Sequence, residues 1–263
     1  VRSRRQRQMC IRDRYGIDSQ AINFIYAGRI TKQKNIIELA SLFKNKIIPK
    51  HESANLIIAG DIDDQGSPFH GEYLAAGTTQ LLLEQSLSPN IKWLGGLSKE
   101  KLAIAYNASD CFISLSTFHD EDFGMAPLEA GITGLPIILS GWGGYNDFIE
   151  VAASSKKIDI THDSLRFKFN QDQAIQAILD QSKPTLQEKL NQTKNFTQHF
   201  SNEVISQKFE ELITRKKPEY FVGFNKRFWE FTRCFRSNPA KPFDLKNQTT
   251  QAIYSECYSA YTS

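Results

Sequence analysis

The chain has 263 residues, enough for one large or two small domains, and its 40% hydrophobic content can supply a core. Formal net charge is +3, and residues 1–14 alone carry six arginines against one aspartate. The remainder is therefore slightly acidic and does not look like a nucleic-acid-binding surface. Cys10, Cys111, Cys234 and Cys257 form no Cys-x-x-Cys pair, which argues against a zinc site or a disulfide framework and for a reducing, cytoplasmic compartment. No apolar run reaches the ~18 residues of a membrane span, and the N-terminal stretch lacks the apolar segment of a signal peptide.

Residues 1–14 do not match the rest in composition. Arg-Gln-Arg-Gln-Met-Cys-Ile-Arg-Asp resembles translated adapter sequence, which implies a natural protein that begins further upstream. A basic arm for nucleic acid or anionic lipid is the alternative. From Ala21 the pattern becomes regular. Ile22–Ala27 reads as a buried strand and Ile36–Ile47 as an amphipathic helix. Between them lies Gly28-Arg29-Ile30-Thr31-Lys32-Gln33-Lys34-Asn35. Arg29 and Lys34 suit an anion there: a guanidinium offers a planar fork to two oxygens, and an ammonium offers a point charge.

Asn55–Ala59 is the next strand, ending in Gly60-Asp61. Asp61, Asp63, Gly66 and Glu72 nearly fit a calcium loop. Such a loop needs a helix before it, however, and Asn-Leu-Ile-Ile-Ala is a strand. A polar turn is expected instead of a metal site. A helix over about 71–86 and a strand Ile91–Leu94 follow. After Gly95-Gly96-Leu97, Ser98 is placed to cap a helix over Lys99–Ala108. Strand Cys111–Leu115 leads into the polar loop Ser116–Asp122, where His119-Asp120 is either an acid/base pair or plain exposed loop.

The densest stretch is Glu121–Glu129, Glu-Asp-Phe-Gly-Met-Ala-Pro-Leu-Glu, entering an apolar helix from Met125. A helix start after Gly124 offers free amides and a favourable dipole to an anion. Glu129, about one turn in, can face a polar group beside it. Pro136–Leu139 is the next strand, and Gly143-Gly144 opens another helix. Lys157–Ile160 reads as a last short strand. Gln171–Asp180 and Leu186–Arg215 read as helices, with breaks at Pro184 and near Ser201. Alternating strands and helices with near-continuous apolar strands predict an α/β fold, a doubly wound, Rossmann-like parallel sheet. Ligands in such sheets bind at strand carboxyl ends, where all these loops lie.

Glu-x7-Glu with Phe-Gly inside it, the Gly28–Lys34 loop, Gly60-Asp61 and Gly143-Gly144 occur together and in order. This set resembles the donor-site signature of retaining glycosyltransferases of family four, over about residues 21–215. The resemblance implies one half of a GT-B fold, the C-terminal nucleotide-sugar-binding domain (15–215), with the N-terminal acceptor domain missing. It implies transfer of a hexosyl group from a nucleoside-diphosphate sugar to a glycan or lipid-linked acceptor, with retained configuration and neither metal nor cofactor. By that resemblance Arg29, Lys34 and Glu121 serve catalysis, the two cations on the diphosphate and Glu121 near the sugar hydroxyls. Glu129 falls on the ribose, backbone near Leu97 on the base, and the Phe123, Gly124 and Met125 amides near the donor. Gly28, Gly60, Asp61, Gly143 and Gly144 complete the donor site. Asp147 stands where many members have Glu. A donor-binding module without catalysis and a sugar-nucleotide epimerase of similar architecture are the alternatives. Residues 216–263 form a separate aromatic and basic, helical tail. Phe221, Phe224, Phe228, Trp229, Phe231 and Phe235 are interleaved with Lys226, Arg227, Arg233 and Arg236. A membrane-surface helix and a helix packed on protein are both open readings.

Overall fold

The computed structural model describes residues 20–31, 34–63, 76–117, 123–163 and 166–214. Six strands form one parallel sheet: β1 Ile22–Ala27, β2 Ala54–Ala59, β3 Ile91–Trp93, β4 Cys111–Ser114, β5 Ile137–Ser140 and β6 Ser155–Ile158. Their spatial order is β3-β2-β1-β4-β5-β6. The chain winds outward from β1 in one direction, then returns and winds outward from β4 in the other. The switch point lies between β1 and β4, where Phe24 pairs with Cys111 and Ile25 with Phe112.

The apolar strands send alternate side chains to opposite faces. Phe24, Leu56, Ile58 and Ile113 join α1 (Ile36–Leu42), α2 (Ala76–Ser86) and α6 (Gln171–Leu179) in one buried layer. Ile25, Ile57, Phe112 and Ile137 join α3 (Lys99–Ala108), α4 (Met125–Ile132), α5 (Tyr145–Val151) and α7 (Leu186–Phe200) in the other. Helices therefore cover both faces, as the strand composition predicts. Within the second layer α4 lies close to α7. A Cβ on Gly131 would sit 2.3 Å from the Phe196 ring, so glycine sets how near these helices come.

The amino edge of the sheet carries a polar ladder, half-buried at Asn90 and Asn55 and buried at Asn23 and Asp110. Asn90 donates to Asn55 at 3.0 Å, Asn55 donates to Asn23 at 3.0 Å, and the Asn23 amide donates to Asp110 at 3.1 Å. The Asn23 backbone N–H reaches the same carboxylate oxygen at 3.0 Å. These side chains link the amino ends of β3, β2, β1 and β4 in spatial order, and each buried polar atom is matched by a neighbour.

Most predicted elements are present within a residue or two, and Ser98 caps α3 by accepting from the Lys101 N–H. Two differ. The helix expected over Ile36–Ile47 changes to a wider π winding at Phe43–Ile47. The strand expected at Lys157–Ile160 is two strands, β6 and then β7 Ile160–Asp163, which pairs antiparallel with β8 Arg166–Phe169. That hairpin forms a separate two-stranded sheet. The break expected near Ser201 is present: the helical stretch divides there into α7 and α8 (Asn202–Thr214), with Ser201 extended between them. No helix among the described residues is long and apolar enough to cross a membrane. The segments 1–14 and 216–263 lie outside the described residues, as do residues 71–75 of the helix expected over about 71–86, whose described part is α2.

Candidate functional site

The carboxyl ends of β1, β2 and β3 are tied together by backbone. The Gly28 N–H donates to Ala59 O at 3.0 Å, Ile30 N–H to Asp61 O at 2.9 Å and Gly60 N–H to Gly95 O at 2.8 Å. Two side chains reinforce the ties: the Tyr26 hydroxyl donates to Arg29 O at 2.8 Å and the Trp93 indole to Gly60 O at 2.8 Å. Gly60 is required by close approach, since a Cβ there would lie 1.9 Å from the Gly28 carbonyl oxygen. Asp61 accepts from the Gly96 N–H at 2.7 Å. The result is a cleft of about 410 Å³, lined among others by Gly28, Arg29, Gly60, Asp61, Asp63 and Leu97. Five residues singled out from the sequence thus meet in one cavity.

Arg29 reaches over this cleft with 60% of its side chain exposed, and its Nη1 donates to Asp63 Oδ2 at 2.6 Å. Lys34, at the entry to α1, is partly buried. Loss of solvent, and then the neighbouring Arg29 charge, push its ammonium down to about 8. The two cations are therefore close enough to feel one another. Both acidic side chains of the Asp61–Asp63 turn have protein partners, and among the described residues no three His, Cys, Asp or Glu side chains are placed to hold a metal ion.

The other side of the switch point is built by side chains. Asn35 takes a left-handed backbone, with φ 52°. Its side-chain amide donates to Leu115 O at 2.7 Å and Thr117 Oγ1 at 3.0 Å. It thereby fastens the loop after β1 to the loop after β4. α4 starts at Gly124, whose φ of 78° favours glycine and whose added Cβ would meet the Tyr145 ring at 2.7 Å. Among the described residues no side chain caps α4, which leaves first-turn amides for a ligand to meet. Tyr145 is buried and shares a 2.9 Å hydrogen bond with Ser114, the last residue of β4. Phe123 packs edge-on against Phe148 and Phe200 at 5.2 and 5.9 Å. Met125 is 61% exposed beside it.

Glu129 projects from α4 toward α3, where the Tyr106 hydroxyl donates to its Oε2 at 3.2 Å. Burial, and then the Glu129 charge, push the Tyr106 phenol up, so it stays a donor. Gly143 and Gly144 precede α5, and the Gly143 carbonyl accepts from Asn146 N–H at 3.1 Å. They line a different part of the strand ends from the 410 Å³ cleft. Asp147 sits exposed in the first turn of α5. Glu121, His119 and Asp120 lie outside the described residues, as do Gly66 and Glu72. Three side chains important to this geometry were not singled out by motif, Tyr106, Tyr145 and Asn146, whereas Asn35 closes the Gly28–Asn35 loop motif. Asn35 had a local signal, since asparagine is the non-glycine residue that most readily turns left-handed. Asn146 Oδ1 is buried and accepts no hydrogen bond among the described residues.

A doubly wound parallel sheet with glycine-bearing loops and two cations near its switch point is the arrangement in which α/β domains commonly place a ligand. The sequence family Glycosyl transferases group 1 matches residues 9–186, and the chain belongs to that family. Sucrose synthase of Nitrosomonas europaea is 32% identical over 140 residues, 50% of this chain and 17% of that protein. An uncharacterized glycosyltransferase of Methanocaldococcus jannaschii is 28% identical over 135 residues, 51% of this chain and 31% of that protein. Among solved structures, Anabaena HepE in complex with UDP and glucose superposes with a TM-score of 0.59 at 18% identity, covering 81% of this chain and 53% of that one. Sucrose-phosphate synthase of Thermosynechococcus elongatus gives 0.57 at 18% identity, covering 78% and 48%. These structures share the fold. The chain spans about half or less of the length of each of these relatives.

Proposed function

We propose that this chain supplies the donor site for transfer of a hexosyl group from a nucleoside-diphosphate sugar to a glycan or lipid acceptor, with retained configuration and without a metal. The observation that carries the reading is the meeting of Gly28, Arg29, Gly60, Asp61 and Leu97 in one cleft at the switch point. The relative bound to UDP and glucose supports a nucleoside diphosphate as the occupant. In this reading the base lies near Leu97 and the Glu129 carboxylate accepts from ribose hydroxyls. The diphosphate lies between Arg29, Lys34 and the open amides of α4, and Glu121 faces the sugar. The leaving diphosphate gathers charge in the transition state. Two fixed cations and a helix start can stabilise that charge where other transferases use a metal ion.

The donor domain is assigned to residues 15–215. Glycosyl transfer needs donor and acceptor held together with water excluded. A chain spanning about half of its relatives is therefore proposed to bind donor nucleotide while showing almost no turnover by itself. Joining it to the acceptor-binding half is expected to restore transfer. Calorimetric titration with UDP, ADP and GDP in EDTA tests the site, and binding that needs magnesium would overturn its metal-free form. Product analysis with the joined protein separates glycosyl transfer from epimerisation of the sugar.

A further inference from the structure

Arg29 is held by a neighbour of opposite charge. Its Nη1 lies 2.6 Å from Asp63 Oδ2, a charge-assisted hydrogen bond. The contact uses one nitrogen, and the rest of the guanidinium fork has no partner among the described residues. Asp63 does not reach Arg29 by chance side-chain reach alone. Its backbone N–H donates to Ile30 O at 3.2 Å, and Ile30 bridges Ile62 in parallel fashion. The loop after β2 is thus zipped to the loop after β1, which delivers the carboxylate to the guanidinium. Arg29 is 60% exposed and Asp63 only 16%, so the pair sits on the cleft wall with the arginine outermost. Both line the cleft proposed for the donor.

We propose that Asp63 is a positioning residue that competes with the donor's diphosphate for Arg29, holding the guanidinium in place in the empty site and weakening retention of the nucleoside diphosphate after transfer. The inference rests on the proposed phosphate role of Arg29. A diphosphate arriving at the open edge of the fork meets a cation whose charge Asp63 already partly offsets. Removing the carboxylate charge leaves Arg29 less compensated and more attractive to an anion. Burial, and then the Arg29 charge, lower the Lys34 ammonium, which fits two cations placed around one anion site. A competitor of this kind favours product release over tight product binding, which matters where release limits turnover.

The test uses the full chain and inorganic pyrophosphate in EDTA, a probe that carries no base or sugar. Asp63→Asn is expected to bind pyrophosphate about two- to fivefold more tightly, the scale of an exposed ion pair. Asp63→Glu, which keeps the charge, is expected to stay near the original affinity. In an Arg29→Ala background Asp63→Asn is expected to change little, because its effect passes through Arg29. A purely structural role for Asp63 would persist in that background, and equal effects there would overturn the proposal. So would unchanged or weaker binding by Asp63→Asn while Arg29→Ala alone weakens binding, which leaves the donor-site reading standing. If Arg29→Ala leaves pyrophosphate binding untouched, the phosphate role of Arg29 fails and this inference fails with it.

Discussion

The two edges of the sheet use polar residues in opposite ways. At the amino edge, Asn90, Asn55, Asn23 and Asp110 satisfy one another in a ladder across four strands. At the carboxyl edge, among the described residues, Arg29 extends over an open cleft with one side-chain partner, and the first turn of α4 has no side-chain cap. A closed polar network fixes strand order and contributes to stability. Groups with hydrogen-bonding capacity in reserve are arranged for a ligand. Mutations at the amino edge should therefore be read in unfolding, and mutations at the carboxyl edge in binding.

The largest effect is expected where the carboxyl edge itself is structural. Gly60→Ala places a Cβ against the Gly28 carbonyl, so the two loops must separate. A loss of about 3 kcal/mol of stability is expected, with a weaker nucleotide site, by chemical denaturation and titration. At the amino edge, Asn23→Ala removes an acceptor from Asn55 and a donor to Asp110. It should cost about 2 kcal/mol in unfolding free energy and leave nucleotide affinity of the folded protein unchanged. The converse case is Glu129→Ala. It is expected to weaken nucleoside diphosphate binding by about 1.5 kcal/mol, the scale of a charged hydrogen bond, with little change in the melting temperature. If Asn23→Ala weakened binding as much as Glu129→Ala, the division between the edges would be wrong.

Much of this contrast could be read from sequence, but unevenly. The parallel sheet follows from short apolar runs such as Asn-Phe-Ile-Tyr-Ala and Asn-Leu-Ile-Ile-Ala, which bury both faces. The glycine-bearing loops follow because strand-to-turn junctions are local. The amide ladder is not local: Asn23 and Asp110 are 87 positions apart, and nothing near either residue marks the other. The Arg29–Asp63 and Tyr106–Glu129 contacts are hidden for the same reason. The β7–β8 hairpin was missed because its strands are four residues each and carry polar and charged side chains, so no apolar run announces them.

The smallest effect concerns pH. Lys34 is held down to about 8 by burial and by Arg29. Below that value the ammonium is charged and attracts the diphosphate, and above it the charge is lost. Anion binding favours the protonated form, so affinity for ADP should fall a few-fold between about pH 7 and 9. Lys34→Arg keeps its charge over that range and should flatten the profile. A profile that is equally steep in Lys34→Arg would place the titrating group elsewhere.

The central claim is that the loops on both sides of the switch point form one nucleotide site. Hydrogen exchange with and without UDP in EDTA tests it most directly. The account predicts added protection in the Gly28–Arg29 loop, in Gly60–Asp63 and at the start of α4 together, with the Asn23 and Asp110 amides and α8 unchanged. Protection confined to one side of the switch point, or to α8, would contradict it.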